Sequence, residues 1–139
     1  MPPPAEGKEG AWYSYAVVRA VPRVERGEFL NVGVILFCRT LGFLETRIEL
    51  DETRLRALSP EVDVPEMVRH LEAFRAVSAG LPGGGPVAAL PPSERFNWLT
   101  SPRSTVIQTS PVHVGRTEDP AGALEELVAR FVQQAPGPR

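Results

Sequence analysis

The stretch FLNVGVILFC, residues 29–38, constrains the fold more than any other part of the chain. Apolar residues occupy both its odd and its even positions, broken only by Asn31. Successive strand residues point to opposite faces, so this segment predicts a strand covered on both sides at the centre of a sheet. Gly33 within it predicts a bulge or a close packing contact.

A central strand needs neighbours. Upstream, WYSYAVVRAVP (residues 12–22) has the aromatic and β-branched content of a strand that Pro22 ends. Its alternation puts Arg19 on one face with Tyr13, Tyr15, Val17 and Val21. Downstream, a turn around Leu41 and Gly42 leads into FLETRIEL (43–50), which alternates cleanly and predicts one solvated face. Short connections make residues 12–22, 29–39 and 43–50 an antiparallel meander. A strand at 104–110 is expected to join it, and STVIQTSPVHVG (104–115) reads as one strand broken by Pro111 or as two short ones.

Two segments have helical spacing. In residues 64–80, Met67, Leu71, Phe74 and Ser78 form a stripe that Gly80 ends. Near the carboxyl end, Asp119 is placed as N-cap and Pro120 at the first turn, ahead of Leu124, Leu127, Val128, Phe131 and Val132. Residues 81–92, LPGGGPVAALPP, read as a loop. The expectation is an α+β fold: an antiparallel sheet of four to five strands with two main helices packed on one face. At 139 residues the chain suits one domain, expected over 11–133 with unstructured tails at 1–10 and 134–139.

Composition excludes some roles. A net charge of −2 argues against a chain built to coat nucleic acid. Its basic groups are arginines apart from Lys8, so an anion site would have the planar, bidentate donor available. Cys38 is the only cysteine, which excludes a disulfide within the chain and fits a reducing, cytoplasmic setting. No segment approaches the roughly 20 apolar residues of a membrane helix, and the amino terminus lacks a leader's apolar stretch.

Polar residues near core segments mark the candidate site. Arg23, Glu25, Arg26 and Glu28 crowd the hinge PRVERGEF, next to Arg19 and Asn31. A half-buried Arg19 needs an acceptor that Glu25 or Glu28 could supply, as a structural ion pair or as part of a site. In RFNWLTSPRSTVIQTSPVH (95–113), Arg103, Ser104 and Thr105 after Pro102 have the donors for a phosphate or carboxylate, whereas Phe96, Trp98 and Leu99 suit a short packed helix. Arg19, Arg23, Glu25, Asn31, Arg103, Ser104 and Thr105 are expected to converge at one end of the sheet, with His113 as a further ligand-binding candidate. His113 is a better proton-transfer candidate than the helix-flank His70. Cys38 is expected to be a buried, inert thiol. Neither a zinc set nor a phosphate loop is legible, so no metal or cofactor is expected.

The segments YSYAVVRAVPRVERGEFLNVGVILFC, LDETRLRAL and ERFNWLTSPRSTVIQTSPVHVG resemble the signatures of the bacterial family called domain of unknown function 3037. The resemblance covers nearly all the chain between the tails and brings no assigned activity or catalytic residue. It implies, by association with neighbouring HipA-like kinases, an accessory or partner role. The favoured reading is a non-catalytic binding or adaptor module with an arginine-rich pocket for an anionic ligand or partner. The alternative is a small enzyme acting on a phosphorylated or nucleic-acid substrate, with His113 or Glu25 moving the proton. Self-association as a homodimer is also expected, because STVIQTS could pair along a free edge.

Overall fold

A computed structural model describes residues 10–133. The expected tails lie outside the described residues, apart from Gly10. Strands β1 (Ala11–Ala20), β2 (Leu30–Cys38) and β3 (Phe43–Ile48) form the expected antiparallel meander. Strands β4 (Ile107–Thr109) and β5 (His113–Thr117) then line up end to end along the free side of β1. The sheet therefore runs β3-β2-β1 and closes with the β4/β5 pair. Pro111 is the break between the last two strands, because it lacks the N–H that a continuous ladder would need.

Among the described residues, four α-helices accompany the sheet: α1 (Glu52–Leu58), α2 (Val64–Ala79), α3 (Pro92–Thr100) and α4 (Pro120–Phe131). Asp51, Asp63 and Asp119 start α1, α2 and α4, each accepting a hydrogen bond from a first-turn amide. Gly80 ends α2 with φ of 72°, a left-handed conformation that a side chain would strain. The segment between α2 and α3 contains two 3₁₀ turns, Pro82–Gly84 and Pro86–Ala89, and buries Ala88.

The two main helices do not share a face. Helix α2 covers Ala16, Val18, Ala20, Val32 and Ile35, whereas α4 covers Val34, Leu36 and Cys38 from the other side. This corrects the expected one-sided packing, and the cause lies in β2: a strand apolar at both parities leaves two faces to cover.

A bulge controls which side chains go where. Val18 pairs with Gly33 but Arg19 pairs with Asn31, leaving Val32 as the extra residue. Val32 thereby faces α2, while Asn31 and Arg19 share the α4 side. A Cβ on Gly33 would stand 2.5 Å from the Arg47 carbonyl oxygen and 2.7 Å from Cδ1 of Ile48, so the bulge admits only glycine without rearrangement.

Candidate functional site

The expected site residues occupy three places. Arg19 lies over Phe29, with Cζ 4.1 Å from the ring centroid, and makes no ion pair with Glu25 or Glu28. Its Nε is buried without an acceptor. Asn31 donates from Nδ2 to the Phe131 carbonyl at 3.1 Å, and Arg54 donates to the Val132 carbonyl at 3.3 Å. Both side chains thus hold the carboxyl end of α4, where backbone carbonyls run out of helical partners. His113 opens β5 on the same face, exposed, with its ring 5.5 Å from that of Tyr15.

The hinge charges pair among themselves. Arg23 meets Glu25 at 2.8 Å and Arg26 meets Glu28 at 2.9 Å, all four largely in solvent. Glu25 is held below the ordinary carboxylate range by its own backbone amide and then by Arg23, and Glu28 by its hydrogen bond from Arg26. Exposed pairs of this kind add little stability.

Arg103 and Thr105 lie on the opposite, α2 side. The Arg103 guanidinium rests 4.4 Å over the Trp98 ring and donates to the Trp98 carbonyl, while the Thr105 hydroxyl donates to the Ile107 carbonyl at 2.9 Å. Both residues line an apolar cleft of about 300 Å³ with Phe74, Val77 and Leu99. Ser104 is exposed beside them. The expected single pocket does not form, because alternation sends Arg19 to the α4 face whereas Arg103 leaves α3 on the α2 face.

A different pair of arginines does meet. Residues 39–42 make the β2–β3 turn, closed by a hydrogen bond from the Gly42 amide to the Arg39 carbonyl at 3.0 Å, with Gly42 at φ of 63°. This turn projects Arg39 towards the carboxyl end of α2 and the start of α3. There Arg39 and Arg95 line a cavity of about 360 Å³ with Ser78, Ser93, Phe37 and Leu44, and no carboxylate lines it. Arg95 is fixed by bonds to the Leu90 carbonyl at 2.7 Å and the Ser78 carbonyl at 3.3 Å, and its buried Nε has no acceptor.

Arg39 is uncommitted. Among the described residues, every other arginine gives a hydrogen bond, joins an ion pair or lies over a ring. Helix α3 begins at this cavity without a side-chain cap, and Pro92 in its first turn has no N–H. The helix end adds partial positive charge where the two guanidiniums already stand. A cleft of about 380 Å³ near α2 offers the opposite field, through Glu61, Asp63 and Glu66 against Arg23 and His70. The described residues contain no cluster of metal-ligating side chains, and none of their helices is long and apolar enough to cross a membrane.

The family model described as protein of unknown function (DUF3037) matches residues 15–132. The chain belongs to that family. Within this DUF3037 chain the match spans both arginines of the cavity and every strand except the first residues of β1. No curated protein and no solved structure matches it.

Sequence reading missed the cavity because Arg39 lies in a turn and Arg95 is fifty-six positions later, with no motif joining them. The available signal was modest: Arg39 follows a strand apolar but for Asn31 and has no acidic neighbour within two positions.

Proposed function

We propose that this DUF3037 chain is a non-catalytic binding module that holds an anionic ligand between Arg39 and Arg95. One observation carries the reading: an arginine with no partner among the described residues faces a cavity that they line with a second arginine and no carboxylate, in a chain of net charge −2. An acidic protein that concentrates uncompensated positive charge in a concave place attracts anions there. Arginine also suits the task, since its planar fork holds a carboxylate or phosphate bidentately.

The lining residues do not include a histidine, a cysteine or an acid, so the cavity offers recognition without an evident proton carrier. Glu25 and His113, the expected proton carriers of an enzyme, stand on the hinge and on β5, separate from this cavity and from each other. That separation favours binding over catalysis.

Isothermal calorimetry with acetate, benzoate and inorganic phosphate at low ionic strength tests the reading. Saturable binding of at least one anion is expected, weakened tenfold or more by Arg39→Ala with an unchanged melting temperature. Arg39 is the residue to change because Arg95 also ties α3 to α2. If no anion binds, or if Arg39→Ala binds as the wild type does, the proposal fails.

A further inference from the structure

The cavity also limits what kind of anion fits, and here the argument rests on the anion-binding reading just given. The cavity volume is about 360 Å³. It falls near the lower end of the ~300–1,000 Å³ range of small-molecule sites. An inorganic oxyanion would leave most of it unfilled.

The walls complement the charged end. Phe37, Leu44, Ala79 and Pro92 contribute apolar surface, and the Phe37 ring is braced by Phe96 with centroids 5.5 Å apart. Burying apolar ligand surface here stabilises a complex at about 25 cal/mol per Å², a gain that a bare ion cannot collect. Gly42 keeps the turn side of the cavity open, since nothing lies within 4 Å of where its Cβ would be.

The supply of donors points to a single negative charge. Arg95 gives one N–H of each terminal nitrogen to a backbone carbonyl, and its Nε is buried without an acceptor. Arg39 alone has its whole fork to give. One free guanidinium matches one carboxylate in a bidentate pair, whereas a phosphate monoester brings close to two charges and three acceptor oxygens.

We infer that the Arg39–Arg95 cavity takes a small monocarboxylic acid with a flat apolar body, its carboxylate on Arg39 and its body against Phe37 and Leu44. The test compares benzoate, acetate and inorganic phosphate by calorimetry on the wild-type chain, on Arg39→Ala and on Ala79→Trp. Ala79 is exposed on the last turn of α2, so the larger side chain can fill the cavity without entering the core.

Benzoate is expected to bind at least tenfold more tightly than acetate or phosphate, and each variant to lose that binding while melting as the wild type does. Benzoate binding no tighter than acetate, or weaker than phosphate, would overturn the ligand class. Arg39-dependent binding of acetate or phosphate in that case would leave the broader anion reading standing. Benzoate binding that survives Ala79→Trp would place the ligand elsewhere and likewise overturn the inference. A chain that binds none of the three sinks both.

Discussion

Ser110 and Val17 exchange two hydrogen bonds, and one of them uses a side chain in place of the backbone. The Ser110 amide donates to the Val17 carbonyl at 2.9 Å, and the Val17 amide donates to the Ser110 hydroxyl oxygen at 2.8 Å. The hydroxyl in turn donates to the Pro111 carbonyl at 2.9 Å. The arrangement stands at the junction of β4 and β5, where β1 would otherwise keep a buried amide without an acceptor.

Ser110→Ala is therefore expected to destabilise the fold by about 1–3 kcal/mol, the cost of one buried unsatisfied donor. Urea denaturation measures it. Ser101→Ala is the control, because that exposed hydroxyl only bonds the Asn97 carbonyl within its own helix. Equal midpoints for the two variants would show that the Val17 amide finds another acceptor.

Gly33→Ala should cost about 1–3 kcal/mol as an overpacking defect. The added methyl meets backbone of β3, which cannot swing aside as a side-chain tip could. Gly27→Ala probes a different cost, with nothing within 4 Å of its Cβ but φ of 72°. Thermal melts are expected to place Gly33→Ala below the wild type. A wild-type melt for that variant would mean that the bulge relaxes without loss.

Arg19→Ala should lose about 0.5–2 kcal/mol, the scale of a partly buried cation–π contact. A buried ion pair broken on one side would cost roughly 3–5 kcal/mol. The contact with Phe29 and the absence of an acidic partner among the described residues favour the smaller figure. A double-mutant cycle with Phe29→Ala reads the coupling directly. A loss of several kcal/mol that Phe29→Ala does not share would contradict this assignment.

Burial raises the Tyr13 phenol above its ordinary value, the neighbouring Tyr15 raises it further, and Arg130 partly opposes them. A group with a raised folded value contributes stability that is fully present below its unfolded value, about 10, and is lost as pH rises through the folded one. Absorbance at the phenolate band should show a late alkaline step that Tyr13→Phe removes. Retention of that step in the variant would assign it to another residue.

Aromatic and β-branched content made β1 legible, apolar residues at both parities β2 and period-two alternation β3, each to within a residue or two, and caps with helical spacing did the same for α2 and α4. Helix α1 escaped because seven residues are too few to display a period, although Asp51 marks its start. The sidedness of the helices escaped for another reason. Residues 30–38 announced two buried faces, but the sequence does not state which helix takes which. The site was harder still: Arg19 and Arg103 are near the same strand pair in sequence order, yet parity and the exit from α3 put the sheet between them. Arg39 and Arg95 meet only because the β2–β3 turn and the start of α3 reach the same end of α2.

The pairing of Ala11 with Thr117 makes the order of synthesis matter. As the chain emerges, the meander and α2 rely on near neighbours, but the outer side of β1 and the second face of β2 wait for β5 and α4. Contacts between distant chain segments form slowly because their loops must close first. Until the last quarter of the chain is made, Tyr13, Tyr15, Val34 and Leu36 face water. A nascent chain at that stage is an open sheet with a naked apolar surface, and holding it apart from its copies is a task for the ribosome's surroundings rather than for the finished fold.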